Sequence, residues 1–297
     1  MLTREEKEHL IAELRGKSVA KENITPEYCK HLELADREEV KIETVSGPVK
    51  CYVFTAKNRT ANCRVHINVH GGGFVRPHVL RDEVYSAKVA DRIQGIVVDV
   101  DYDLAPEYPY PTAFNQCYDV CKWVFSKLKD WDGDGKRVSM GGHSAGANLT
   151  AAVCLKANQT KEFQLCLQVL DYGCFDMVTD PADKPEAKTN LIPVERGRMF
   201  SLAYTEGNRE LLNDPFCSPL LAPDEMLTGL PEALVVSAGH DNFRFEDNQY
   251  ALRMVHAGVK VTLRCFLHSS HGFIVHCTDE WEEGQELVIH MINQASL

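Results

Sequence analysis

The chain has 297 residues, of which 44% are hydrophobic and 25% are charged, so its proportions are those of an ordinary globular protein. Its formal net charge of −11 argues against nucleic acid or an anionic membrane as a partner, because both attract clustered lysine and arginine. The first residues, MLTREEKEHL, are charged where a signal peptide needs an apolar stretch, and no run of about 18 apolar residues occurs, so we expect a cytoplasmic protein.

Two stretches with helical spacing, at about residues 3–15 and 26–36, come first along the chain. Residues 40–45 and 49–55 alternate around a Ser-Gly-Pro turn and predict a β-hairpin. From residue 64 onward, short apolar runs alternate with helical spacing. The predicted strands are residues 64–70, 95–100, 137–142, 164–171, 233–239 and 259–267. The predicted helices are residues 81–93, 112–128, 144–157, 193–204, 245–257 and those from about 279.

This alternation predicts an α/β fold with a mostly parallel central sheet and helices on both faces. An active site in such a sheet lies at the carboxyl ends of the strands. Eleven scattered cysteines favour free thiols rather than a disulfide framework. Cys117 and Cys121 lie one helical turn apart, but no second pair at ligand spacing accompanies them, so we expect core cysteines and neither a metal nor another cofactor.

Residues 142–146 read Gly-His-Ser-Ala-Gly and fit the pattern G-x-S-x-G. The pattern stands between the predicted strand 137–142 and the predicted helix 144–157, where a nucleophile elbow places its serine. The N-terminus of that helix favours negative charge developing beside the hydroxyl. We therefore predict that Ser144 is a nucleophile rather than a serine in an ordinary turn.

A serine nucleophile needs a base that takes its proton and an acid that orients the base, and in one common fold the acid follows the serine in the chain. Asp241 directly follows the predicted strand 233–239 and is the first candidate, with a helix N-cap as its alternative role. Asp247 competes with it. Because Asp247 falls inside the next predicted helix, we expect its side chain to be solvated.

Three histidines follow the last predicted strand and compete for the role of the base: His268, His271 and His276. Position alone favours His271 only modestly, through the flexible glycine that follows it. A structural role is the alternative for each of them.

Three consecutive glycines follow the predicted strand 64–70, in the stretch His70-Gly71-Gly72-Gly73-Phe74. Glycines cost backbone entropy on folding, so either another group approaches the main chain here or positive φ is required. A tight turn would explain one or two of them. An oxyanion hole, built from backbone N–H groups of this loop and of Ala145, explains all three.

Six motifs in this order resemble the hormone-sensitive-lipase-like branch of the α/β-hydrolases, also called the bacterial family IV esterases, over about residues 64–273. The matching segments are residues 70–74 for HGGG, 101–111 for D-Y-R-L-A-P-E-x-x-x-P, 142–148 for G-D-S-A-G-G-N, 214–220 for D-P-x-x-S-P-L, 238–259 for the acid block A-G-x-D-x-L-x-D-E with its helix, and 271–273 for the base motif. The last motif separates His271 from His268 and His276.

The resemblance implies an α/β-hydrolase fold and assigns roles to individual residues. The implied triad is Ser144 as nucleophile, His271 as base and Asp241 as orienting acid. The implied oxyanion N–H groups are those of Gly72, Gly73 and Ala145, on a loop shaped by His70 and Gly71. The resemblance also implies a cap, formed by N-terminal helices in residues 1–38 and by an insertion at about residues 172–215, on a catalytic domain of residues 39–297.

The chain departs from the family pattern at several positions near the site. His143 replaces an acidic residue, Asp103 replaces an arginine, and Phe245 replaces the second acid of the acid block. Arg76-Pro77-His78 stands where the family has glycine and a small polar residue. We expect these changes to alter the pocket rim rather than the triad.

The expected activity is hydrolysis of short-chain acyl esters by a serine carboxylesterase, through an acyl-enzyme, on a small-molecule substrate. An amidase or formamidase with the same triad is the alternative. A non-catalytic ligand-binding protein of this fold, like the gibberellin receptor, is disfavoured because His271 is retained. The resemblance also suggests a homodimer through an edge strand.

Overall fold

An eight-stranded sheet runs through the part of the chain that the computed structural model describes, residues 2–16, 22–185 and 192–297. Its strands are β1 (Ala35–Ile42), β2 (Val49–Ala56), β3 (Cys63–Val69), β4 (Ile96–Asp101), β5 (Gly133–His143), β6 (Leu167–Asp171), β7 (Glu232–His240) and β8 (Val261–Ser270). Their spatial order is β1-β2-β4-β3-β5-β6-β7-β8. Strand β2 is antiparallel to both of its neighbours, and all other pairs are parallel. The predicted α/β-hydrolase architecture is confirmed.

Helices connect the strands and cover both faces of the sheet. In the described residues they are α1 (Arg4–Arg15), α2 (Pro26–Cys29), α3 (Leu80–Ile93), α4 (Thr112–Lys127), α5 (Ala145–Thr160), α6 (Val194–Thr205), α7 (Asp224–Leu227), α8 (Arg244–His256), α9 (Phe273–His276) and α10 (Trp281–Gln294). Short 3₁₀ helices cover Lys30–Leu34, Arg209–Asn213 and Pro219–Leu221.

The second predicted helix, residues 26–36, is shorter than its spacing indicated. Helix α2 and the 3₁₀ turn after it end at Leu34, and Ala35 begins β1. Ala35 is buried and pairs with Ala56 at the far end of β2, so hairpin pairing takes over these last positions. The hairpin is therefore longer than the alternating residues alone predicted.

Two apolar layers hold the sheet between the helices. One face packs against α4, α5 and α8, and the opposite face packs against α3 and α10. Successive residues of strand β7 alternate between these layers: Val235 belongs to the first layer, while Leu234 and Val236 belong to the second. Strands buried on both faces read as nearly continuous apolar runs, as the central strands of this chain do.

The parallel strands bring four sequence motifs to one edge of the sheet. Strand β3 ends before the glycine loop, β5 ends before Ser144, β7 ends before Asp241, and β8 ends before His271. Since carboxyl ends of parallel strands lie at the same edge, residues far apart in the chain meet there, as predicted.

No helix among the described residues is both long and apolar enough to cross a bilayer. Those residues also contain no group of three or more His, Cys, Asp or Glu side chains placed to hold a metal ion. Cys117 and Cys121 are fully buried in the first apolar layer. The homodimer stays a prediction; β8 is one of the two edge strands on which it would form.

Candidate active site

Ser144 occupies a sharp turn between β5 and α5, with φ 57° and ψ −115°. Positive φ is costly for a residue with a side chain and is held only where the surroundings impose it. Two contacts impose it here: the Ser144 N–H donates to the Asp171 carbonyl at 2.9 Å, and α5 approaches β3 so closely that a Cβ on Gly146 would overlap the Val69 carbonyl oxygen. The predicted strand, turn and helix around the serine are therefore present.

His271 contacts both of the other residues that the motifs singled out. Its Nε2 lies 2.9 Å from Ser144 Oγ, and its Nδ1 lies 2.7 Å from Asp241 Oδ2. A carboxylate only accepts hydrogen bonds, so Nδ1 carries the proton and Nε2 is left to accept from the serine hydroxyl. The geometry thus brings together a hydroxyl, a base and an orienting carboxylate.

Aromatic rings and a backbone bond fix this arrangement. The Asp241 side chain is fully buried, and its Oδ1 accepts from the Phe243 N–H at 3.1 Å. The rings of Tyr172 and Phe243 stand edge-on to the His271 ring at 5.1 and 5.3 Å. The imidazole is therefore confined on two sides while its Nε2 faces the serine.

The expectation that Asp247 is solvated is wrong. Its side chain is fully buried, and its Oδ1 accepts from the Gly173 N–H at 2.8 Å. Burial raises the pKa of Asp247 well above its usual range, and the negative charges of Asp241 and Glu246 raise it further. Asp247 is buried because it lies on the face of helix α8 that packs against the sheet.

The two competing histidines do not contact the serine. His268 is exposed on β8. His276 lines a cavity beside Ser144 that is described below. Burial, together with the positive charges of Arg81 and Arg76, lowers its pKa to about 3. It is therefore neutral at physiological pH.

The glycine loop after β3 places main chain beside Ser144. Gly72 and Gly73 have φ of 119° and 61°, which residues with a Cβ rarely adopt. Within the described residues, the N–H groups of Gly72, Gly73 and Ala145 donate to no protein acceptor. Unused backbone donors beside a nucleophile are what an oxyanion hole requires.

His70 supports this loop from below. Its ring is fully buried and stacks on Tyr102 with centroids 4.2 Å apart, and its Nδ1 donates to the Gly71 carbonyl at 2.7 Å. Burial lowers the pKa of His70, so the ring is neutral and Nδ1 carries its single proton.

The segment Arg76-Pro77-His78, which departs from the family pattern, is held in place by a buried ion pair. His78 Nε2 lies 2.9 Å from Asp99 Oδ2, and Asn68 donates to the other carboxylate oxygen at 2.9 Å. Burial opposes the charged form of His78, but the attraction of Asp99 outweighs burial and raises the pKa of His78 to about 9. Burial likewise opposes ionisation of Asp99, and His78 more than compensates, so the pKa of Asp99 is lowered.

The other departures differ in their surroundings. His143 Nδ1 lies 3.0 Å from Asp171 Oδ2, and both side chains are buried. Asp103 exchanges two hydrogen bonds with Gln116. Phe245 is exposed on α8 and lines neither cavity beside Ser144.

Two cavities meet at Ser144. The first, which we call the cationic cavity, is lined by His271 and by three arginines: Arg76, Arg81 and Arg196. The second, which we call the apolar cavity, has a volume of about 490 Å³ to its open mouth and is lined mainly by apolar side chains, among them Phe74, Cys174, Met177, Pro181 and Phe243. Phe200 lines both cavities.

Sequence reasoning missed most of these lining residues. Arg81 lies at the start of α3, Arg196 lies at the start of α6, and Tyr172 follows β6. No motif marks these positions, because only the folded chain brings them to the serine. Arg76 was recognisable as a departure from the family pattern, although its environment was not.

Comparison with known proteins identifies the family of this chain. Residues 66–275 match the protein family described as the alpha/beta hydrolase fold. The chain belongs to this family. Its predicted place in the hormone-sensitive-lipase-like branch is confirmed, and the chain order Ser144, Asp241, His271 is the order in which α/β-hydrolases carry their triad.

The chain is similar to several proteins that are named as esterases. The chain is 30% identical over 225 residues to an arylesterase of Saccharolobus solfataricus, a match that covers 74% of this chain and 71% of that protein. It is 30% identical over 220 residues to the carboxylesterase NlhH of Mycobacterium tuberculosis, covering 72% and 67%. A solved structure, the thermostable carboxylesterase EstE1 cloned from a metagenomic library, superimposes with a TM-score of 0.80 at 28% identity, covering 98% of this chain and 95% of that one.

The His78–Asp99 pair predicts a pH dependence of stability. The folded-state pKa of His78, about 9, lies above its unfolded value of about 6.5, so the stabilisation is fully present below about pH 6.5 and is lost as the pH rises through about 9. Between these limits, the free energy of unfolding of the wild type should fall by on the order of 2 kcal/mol more than that of His78→Asn. Urea denaturation at both pH values checks this, and parallel losses in the two proteins would contradict it.

Proposed function

We propose that this protein is a serine carboxylesterase whose catalytic triad is Ser144, His271 and Asp241. One observation supports the proposal above all others: His271 lies 2.9 Å from the serine hydroxyl and 2.7 Å from the Asp241 carboxylate at the same time. The names of its relatives, arylesterase and carboxylesterase, point to esters as the substrates.

The reaction passes through an acyl-enzyme. His271 Nε2 takes the proton of Ser144 as Oγ attacks the ester carbonyl carbon, and the N–H groups of Gly72, Gly73 and Ala145 hold the resulting oxyanion. The tetrahedral species then expels the alcohol, which leaves with the proton from His271. Water attacks the acyl-serine with His271 again as the base, and the carboxylic acid is released with Ser144 regenerated.

We assign the two parts of the ester to the two cavities from the proton that His271 delivers. The leaving alcohol must lie on the His271 side, and His271 lines the cationic cavity but not the apolar one. The acyl group therefore occupies the apolar cavity. Because the rings of Phe200 and Phe243 line this cavity and limit its space, we propose that short acyl chains are preferred.

We also propose that the N-terminal segment, residues 1–38, and the insertion at about residues 172–215 form a cap on the catalytic domain. Helix α6 from the insertion brings Arg196 and Phe200 into the cavity walls. Arg196 also donates to the Leu14 carbonyl of α1 at 2.9 Å, which ties the two parts together. Residues 17–21 and 186–191 of the proposed cap lie outside the described residues.

Hydrolysis of p-nitrophenyl esters from acetate to dodecanoate, by wild type and Ser144→Ala, tests the proposed activity. We expect kcat/KM to peak at the short chains and to fall by at least about a thousandfold in the variant, because the nucleophile is lost. A matched pair of a nitrophenyl ester and the corresponding anilide distinguishes an esterase from an amidase. Activity that survives in Ser144→Ala, or a wild type that cleaves only the anilide, would overturn the proposal.

Phe200→Ala tests the assignment of the acyl group to the apolar cavity. Removing the ring joins the two cavities above Gly73, so longer acyl chains gain space. The ratio of kcat/KM for octanoate to that for acetate should rise by about tenfold. Met199→Ala, which truncates the neighbouring side chain outside both cavities, is the control. An unchanged ratio in Phe200→Ala would show that the acyl group lies elsewhere.

A further inference from the structure

The cationic cavity is basic although the protein as a whole is acidic. The chain carries a formal net charge of −11, yet three arginines line the cavity that contains Ser144 and His271. The only acidic side chain lining the cavity in the described residues is Asp82, which lies beside Arg81. His276, which also lines the cavity, has a pKa lowered to about 3 and carries no positive charge at physiological pH. The local charge is therefore opposite in sign to that of the protein.

Two of the three arginines have protein partners. Arg81 forms ion pairs with Glu22 and, at 3.7 Å, with Asp82. Arg196 donates to the Leu14 carbonyl at 2.9 Å, and its guanidinium lies over the Phe200 ring. Both side chains thus have structural roles in joining the cap to the cavity.

Arg76 is different, because its guanidinium has neither a hydrogen bond nor an ion pair with any residue that the structure describes. The side chain is only half-buried, but burial lowers its pKa, and the positive charges of Arg81 and Arg196 lower it further, against a smaller opposing effect of the Glu22 carboxylate. A desolvated charge without a partner is unfavourable, and like charges nearby increase the cost. An anion in the cavity would remove both penalties.

The position of Arg76 is fixed relative to the reacting atoms. Its backbone N–H donates to the Gly72 carbonyl at 3.0 Å, so it belongs to the turn that also carries the proposed oxyanion N–H groups. The buried His78–Asp99 pair holds the chain two residues further on. A group bound by Arg76 is therefore held at a defined distance from Ser144.

We propose that the preferred substrates are esters of an alcohol that carries an anionic group, a carboxylate or a phosphate, and that Arg76 binds this anion. The inference rests on the proposed function, since it names the alcohol of the ester that Ser144 would cleave. The anion is placed on the alcohol rather than on the acyl group because His271, which protonates the leaving oxygen, lines the cationic cavity. A planar guanidinium suits either anion, because both accept two parallel N–H donors.

The test compares an anionic ester with a neutral one that has the same acyl group. 4-Acetoxybenzoate and 4-acetoxyphenyl phosphate carry the anion on the alcohol, and methyl 4-acetoxybenzoate carries none. Each kcat/KM is divided by the rate constant of spontaneous hydrolysis, which corrects for the different leaving groups. The ratio of the anionic to the neutral value is the measured quantity.

We expect this ratio to exceed one in the wild type, to decrease with added salt, and to fall by about tenfold or more in Arg76→Gln, because a charge-assisted contact is lost. Arg76→Lys, which keeps the positive charge, should retain part of the preference for the anionic ester. Arg264→Gln is the matched control, since it removes one positive charge from an exposed residue that lines neither cavity, and it should leave the ratio unchanged. The anionic ester whose ratio falls further in Arg76→Gln identifies the preferred anion.

A ratio that does not respond to Arg76→Gln would overturn the proposal. Inhibition of the wild type gives a second measurement that needs no variant: 4-hydroxybenzoate should inhibit at lower concentration than methyl 4-hydroxybenzoate, and equal inhibition would contradict anion binding. Failure of the wild type to cleave even the neutral ester would instead count against the proposed esterase activity. Ser144-dependent cleavage of the neutral ester with no response to Arg76 would leave the esterase standing and refute only the anion site.

Discussion

The structure around the site depends on one imidazole ring that makes two hydrogen bonds at once. His271 reaches Asp241 through Nδ1 and Ser144 through Nε2. These residues follow β8, β7 and β5, so the ends of three strands must stay in register for both contacts to persist. A sheet whose central strands are hydrogen-bonded on both sides and buried on both faces provides that rigidity.

Several costly local features are explained by this requirement. The positive φ of Ser144 is held by the hydrogen bond that its N–H donates to the Asp171 carbonyl of β6 and by the close approach of α5 to β3. Burial raises the pKa of Asp247, a carboxyl close to Asp241, and so disfavours a second negative charge beside the imidazole. The glycine loop is supported from below by His70 and by the buried His78–Asp99 pair. Each of these features lies close to the serine or supports the loop beside it.

Much of this could be predicted from sequence, because the signals are local. Alternating apolar runs gave the strand order in the chain, and glycines on both sides of Ser144 marked the sharp turn. Asp241 and His271 follow strands directly, so a parallel sheet had to bring them to one edge. The residues that escaped prediction depend on tertiary packing. Asp247 lies in a helix, and helical spacing alone does not show that its side chain is buried. Ala35 joins a strand because it pairs with Ala56. The arginines of the cationic cavity come from separate segments, and no pattern links them before folding.

We propose that Ser144 is a nucleophile activated by His271, and labelling with diethyl 4-nitrophenyl phosphate tests this role. We expect one equivalent of nitrophenol to be released and mass spectrometry to find the diethylphosphoryl group on Ser144. Labelling should be at least about a hundredfold slower in His271→Ala, because the general base is lost, and unchanged in His268→Ala, which removes a nearby histidine that does not contact the serine. A label on another residue would contradict Ser144 as the nucleophile, and equal rates in the wild type and His271→Ala would contradict His271 as its base.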